Sequence, residues 1–138
     1  MLEYTIDAHR VDATGSVARV RQARIVLDTS LAGRTNAFNP AETLLAALAA
    51  CIIKSAERAL PMLGFELRAM SVTLHAVRSD SPPQIIAIDY VVTVDTDESD
   101  RRLALLHTNI RKYGTISNTL AGAVALEGRI VRKDTQEP

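Results

Sequence analysis

The chain has 138 residues, 47% of them hydrophobic, and its 16 basic and 16 acidic side chains leave a formal net charge of zero. That length suits one domain over residues 1–138, able to bury a core but short for two. A balanced charge argues against a dedicated nucleic-acid or membrane-surface protein, since either usually carries a basic excess. The opening Met1-Leu2-Glu3-Tyr4 shows no basic, apolar leader, and one cysteine, Cys51, cannot form an internal disulfide. The longest apolar run is about half of the roughly 20 residues a bilayer crossing needs. The expectation is a soluble, reduced, cytoplasmic protein with no nucleic-acid or membrane partner.

Partial alternation over Tyr4–Arg10 and Ser16–Asp28 reads as strands, with Asp12-Ala13-Thr14-Gly15 as the turn between them. Leu31–Phe38, holding Gly33 and Asn36, reads as loop. A helix then opens with strong local signals: Asn39 as N-cap, Pro40 as first helical residue and Glu42 reaching back to the cap. It runs to about Leu60, where Pro61 and Gly64 punctuate its end, with room for a last turn beyond the proline. From Leu44 to Ile53 this helix is apolar on every side, and Lys54, Glu57 and Arg58 restore polarity afterwards. A helix apolar all round must be covered all round. One small sheet covers one side, so a second copy across a twofold axis is expected to cover the remainder.

Met70–Val77 and Ile86–Val94 alternate with period two, and Arg78–Gln84 reads as their hairpin connection. The inward face of the second strand is expected to hold Ile86, Ile88, Tyr90, Val92 and Val94. Asp95–Asp100 reads as the acidic start of a second helix, whose apolar face is Leu103, Leu106 and Ile110 and which Gly114 ends. Ser117–Val124 suits a short helix, Ala125–Lys133 a closing strand and 134–138 a polar tail. This order gives an α+β class rather than a doubly wound parallel sheet.

Cys51 is the first candidate for chemistry. A thiol attacks only as thiolate, which an apolar setting disfavours unless a cation or donor from elsewhere compensates. Its flanking residues are Ala49, Ala50, Ile52 and Ile53. From the residues alone, packing as a small buried hydrophobe competes with a reactive role. Glu42 is the second candidate. It precedes Cys51 by nine residues, about 13.5 Å along the axis and on the opposite helix face. It therefore caps its own helix or serves a site across a dimer interface. Asp95, Asp97 and Asp100 lack the glycine and terminal glutamate of a calcium loop. His9, His75 and His107 lie in three elements without metal-ligand spacing, and no glycine pattern for a phosphate is present. No cofactor is implied.

The run Asn39-Pro40-Ala41-Glu42-Thr43-Leu44-Leu45-Ala46-Ala47-Leu48-Ala49-Ala50-Cys51 resembles the central-helix motif of the OsmC/Ohr family, the osmotically inducible and organic-hydroperoxide-resistance proteins. The element order and Lys112-Tyr113-Gly114-Thr115-Ile116-Ser117-Asn118-Thr119-Leu120 agree with it. The resemblance implies an OsmC-like fold, antiparallel sheets around a long buried central helix in an intertwined homodimer, with a thiol site at the subunit interface. In catalytic members the helix cysteine attacks a hydroperoxide, a second cysteine condenses with the sulfenic acid, and an external dithiol reduces the disulfide. Cys51 matches the first cysteine. The second is replaced by Gly114, so a sulfenic acid here needs an external thiol, or Cys51 of the other subunit if the two helix thiols come within disulfide geometry. In organic-hydroperoxide-resistance members a glutamate stands where this chain has Ala41; other branches carry it at Glu42. Arg10, Arg19, Arg21 and Arg34 lie in the region that supplies the family's supporting arginine.

Two functional readings and one structural reading follow. One is a one-cysteine thiol-dependent peroxidase reducing organic hydroperoxides in oxidative stress defence, with Cys51 and Glu42 as site residues. The other is a non-catalytic OsmC-like protein that binds a small apolar or electrophilic ligand at the dimer interface. A structural module in which Cys51 only packs is the third possibility.

Overall fold

The computed structural model describes residues 1–134. The polar tail expected over 134–138 thus lies, beyond Asp134, outside the described residues. The chain divides into two compact units, Met1–Ala46 and Ala47–Pro138.

The first unit is an antiparallel meander of β1 (Asp7–Asp12), β2 (Gly15–Val20) and β3 (Ala23–Leu27). Its first turn is closed by Asp12, whose Oδ1 accepts from the Thr14 amide at 2.8 Å and from Thr14 Oγ1 at 2.6 Å. The expected single strand Ser16–Asp28 is in fact a hairpin. Arg21 and Gln22 make its turn, and Arg21 adopts φ +52°, a conformation unusual for a residue with a side chain. No glycine, asparagine or proline announces that turn. The Leu31–Phe38 loop is built on the buried Asp28, whose carboxylate accepts from the amides of Ser30 and Arg34 and from Ser30 Oγ. Those donors, the Ser30 hydroxyl foremost, hold its pKa below the usual carboxylate range.

Helix α1 (Pro40–Leu63) begins in this unit and continues into the second. Its end passes Pro61 by two residues and stops at Gly64, where φ is +58° and the Phe65 amide returns to the Leu60 carbonyl at 2.9 Å. One stripe is buried, formed by Leu48, Ile52, Ser55, Ala56 and Ala59. The expectation of cover on every side is not met within one chain: Ala46, Ala47, Ala50 and Ile53 are exposed.

The second unit carries a three-stranded sheet, ordered β4 (Ala69–Asp80), β5 (Pro83–Asp95), β6 (Ala125–Arg132). Helices α2 (Asp100–Tyr113) and α3 (Thr115–Ala121) connect β5 to β6. β4 and β5 are antiparallel, but β6 lies parallel to β5, so this sheet is mixed and not antiparallel as expected. The helical crossover is what a parallel neighbour requires. The β4–β5 turn is only Ser81-Pro82, shorter than the expected connection, because both strands extend past a register shift at Val77/Arg78. There Ile86 is skipped in the pairing and is exposed, which corrects its expected inward placement. Ile88, Tyr90, Val92 and Val94 point inward and form the core with Leu103, Leu106 and Ile110 of α2.

The second helix starts at Asp100, later than expected, with Ser99 as N-cap. Asp95 closes β5 instead, and Asp95 and Asp97 pair with Arg68 at 2.8 and 2.9 Å. A strand that already uses its backbone cannot also start a helix, so only Asp100 meets the helix dipole.

Candidate functional site

Cys51 lies in the middle of α1, beside the buried stripe and partly exposed. Across from it, Gly114 ends α2 and starts α3. A methyl group built on Gly114 would lie 2.9 Å from Cys51 Sγ, 3.0 Å from Ser117 Oγ and 3.3 Å from the Ile110 carbonyl oxygen. The thiol thus rests against bare backbone, in space that any other residue at 114 would claim. Gly114 has φ −78°, ordinary for any residue. Its requirement is close approach, not backbone conformation.

The break at Gly114 is held from α1. Arg58, seven residues after Cys51 and therefore on nearly the same side of the helix, donates from Nη2 to the Tyr113 carbonyl at 3.1 Å. Its guanidinium also stands 5.1 Å from the centre of the exposed Tyr113 ring, and Lys112 Nζ stands 5.3 Å from it. Cys51 thus meets the α2–α3 break at Gly114, and Arg58 meets the same break at Tyr113. Cys51 is the member that sequence reasoning singled out. Arg58 escaped it because it lies in no local motif, and Lys112 because its segment was read only for agreement with the family; the helical spacing of Arg58 from Cys51 was the available signal.

Glu42 belongs to a different arrangement. Its Oε1 accepts from the Asn39 amide at 2.9 Å, and Asn39 Oδ1 accepts from the Glu42 amide at 2.8 Å. This reciprocal capping box satisfies two donors at the helix start. Among the N-terminal arginines, Arg34 is tied down within the first unit. It donates to Asn36 Oδ1 at 2.9 Å and to the Thr14 carbonyl at 3.4 Å, lying where a side chain on Gly15 would otherwise stand. Arg10, Arg19 and Arg21 are exposed on the β1–β2–β3 sheet and its turn.

The histidines fall in separate places. His75 Nδ1 lies 3.1 Å from Asp89 Oδ1 on the exposed sheet face, and His107 Nε2 lies 2.8 Å from Tyr90 Oη in the core. Burial pushes the Tyr90 hydroxyl up and the His107 imidazole down in pKa, with Arg111 further disfavouring the imidazolium. Among the described residues no three of His, Cys, Asp and Glu gather to hold a metal, and no helix is long and apolar enough to cross a membrane.

Solved structures share this fold. An OsmC-like protein from Mycoplasma pneumoniae superposes with a TM-score of 0.88 at 20% identity, covering 96% of this chain and 99% of the other. An organic hydroperoxide resistance protein OsmC from Legionella pneumophila gives 0.74 at 18% identity, covering 94% and 98%. The organic hydroperoxide resistance protein OhrB of Bacillus subtilis gives 0.64 at 16% identity, covering 94% and 98%. Among curated proteins, none matches the sequence. The family model for OsmC-like proteins matches residues 33–128, a span that holds α1 with Cys51 and the Gly114 break, and the chain belongs to that family.

Proposed function

We propose that this protein is a one-cysteine thiol-dependent hydroperoxide reductase of stress defence. The observation that carries this reading is the approach of Cys51 Sγ to residue 114, the position that matches the family's second cysteine. That approach is the one a two-cysteine site needs, and at residue 114 this chain lacks the second sulfur. In the first step Cys51 sulfur attacks the terminal oxygen of an organic hydroperoxide; the oxygen–oxygen bond breaks, an alcohol leaves and Cys51 becomes a sulfenic acid. An external thiol then displaces water to form a mixed disulfide, and a second thiol releases Cys51. The reductase is read as a homodimer, since α1 leaves Ala46, Ala47, Ala50 and Ile53 for a second copy to cover.

Reduced protein treated with one equivalent of cumene hydroperoxide tests the reading. Intact mass should show one added oxygen on Cys51, captured by a sulfenic-acid trap and reversed by added thiol. No adduct at peroxide levels that oxidise a free thiol would dismiss the peroxidase.

The second reading, a non-catalytic binder of a small apolar or electrophilic ligand, draws on Glu42. Its carboxylate is engaged in the helix cap, as a residue without a catalytic role would be. Ligand binding that survives Cys51→Ser would favour it.

A further inference from the structure

We propose that the external thiol that resolves oxidised Cys51 is a small anionic one, recognised by Arg58 and Lys112 at the Tyr113 ring; this rests on the peroxidase reading above. Gly114 brings no sulfur, so this chain supplies no second thiol, and one from solvent can reach the partly exposed Cys51. The residue before Gly114, Tyr113, carries two cations. Arg58 is bonded to the carbonyl of Tyr113, the residue joined to Gly114, and Gly114 is in turn packed against Sγ. Lys112 shares the Tyr113 ring with it, and Lys54 follows Cys51 by three residues on the same side of α1. All three cations are exposed, and among the described residues neither Arg58 nor Lys112 is paired with a carboxylate. The other arginines of this unit that contact acids, Arg68, Arg78, Arg102 and Arg132, are used up in ion pairs.

Unneutralised cations on an aromatic platform beside a sulfur favour an incoming group that carries a carboxylate or sulfonate near its thiol. The chemistry balances with two such thiols. The first gives its sulfur to the Cys51 sulfenic acid, forming the mixed disulfide and one water. The second attacks that disulfide, returns Cys51 to the thiol and leaves as the small-molecule disulfide. One hydroperoxide is reduced to its alcohol and two anionic thiols are oxidised.

Charge selection at Cys51 can be read without any peroxide. Reduced full-length protein is treated separately with methanethiosulfonates bearing a sulfonatoethyl, a methyl or a trimethylammonioethyl group, and labelling of Cys51 is timed by mass. The rates are compared as the anionic-to-cationic ratio, which cancels any change in the thiolate population. The ratio should exceed that of a free neutral thiol by roughly threefold or more. It should fall toward the free-thiol value in Lys112→Glu and in Arg58→Gln, and with about 1 M salt. Lys112 is exposed, so its variant keeps the test open if Arg58→Gln folds poorly. A ratio equal to the free thiol, a ratio unmoved in a folded Lys112→Glu, or no labelling by any reagent would overturn the proposal. A second arm supplies mercaptoacetate or cysteamine to protein exposed to cumene hydroperoxide. Anion preference in the first arm with no sulfenic acid in the second would reject the peroxidase reading alone and leave the recognition surface standing.

Discussion

Two glycines of the second unit, Gly128 and Gly114, use the same device for different ends. Gly128 of β6 pairs with Tyr90 of β5, and a methyl group built on it would fall inside the Tyr90 ring. The space is filled by an aromatic face whose hydroxyl is spent on His107. Gly114 lets a sulfur approach instead, and here the 2.9 Å separation has chemical meaning. In a disulfide, a sulfur and the carbon on the far side of its partner lie about 3 Å apart, as an S–S bond near 2.04 Å requires. One missing side chain makes room for a ring, the other for the close approach of a thiol.

The largest effect should come from Gly128→Ala, which has no room for its methyl group and should lose about 3 kcal/mol by urea unfolding. Pairing it with Tyr90→Leu should recover part of that loss, because the clash is with the ring; strict additivity would mean the cost arises elsewhere. Gly114→Ala should cost less, about 1–2 kcal/mol, because Sγ can turn aside. It should also slow oxidation of Cys51, whereas an unchanged rate would detach the sulfur's reactivity from this contact.

The capping box should yield a comparable loss of stability. Asn39→Ala should cost about 1 kcal/mol. Glu42→Gln keeps the acceptor oxygen of the cap and should leave both stability and Cys51 oxidation near wild type. Loss of oxidation with intact stability in that variant would give Glu42 a role at the thiol beyond its cap.

The smallest effect is a pH dependence at the Tyr90–His107 pair. Burial lowers the folded pKa of His107, so the unfolded chain takes up the proton first. The stability this group contributes is complete above its unfolded value of about 6.5 and is lost as pH falls below it toward the folded value. The unfolding free energy of wild type should therefore decline over that window relative to His107→Asn. Parallel curves would mean His107 titrates as freely in the fold as in the unfolded chain.

What the sequence makes legible is what local rules govern. Asn39, Pro40 and Glu42 declare the start of α1, and the bonds found there are those the spacing predicts. Leu103, Leu106 and Ile110 declare a buried helix face in the same way. Arg21-Gln22 turns without a turn residue, and Ile86 drops out of an alternation that its neighbours continue; both are dictated by pairing with another strand. The parallel placement of β6 is likewise a matter of its neighbour. At the candidate site, Cys51 stands out through its motif and Gly114 as a helix breaker. That the two touch, and that Arg58 and Lys112 gather at Tyr113, depends on contacts across more than fifty residues of chain.

Gly114→Cys tests the central claim most directly, because it supplies the sulfur that this site lacks. Wild type and variant are each treated with one equivalent of cumene hydroperoxide and weighed intact. The account predicts one added oxygen in wild type and the loss of two hydrogens in the variant, as sulfenic acid gives way to a disulfide between Cys51 and the introduced thiol. A variant that gains oxygen without closing the disulfide, or two proteins that both resist the peroxide, would contradict it.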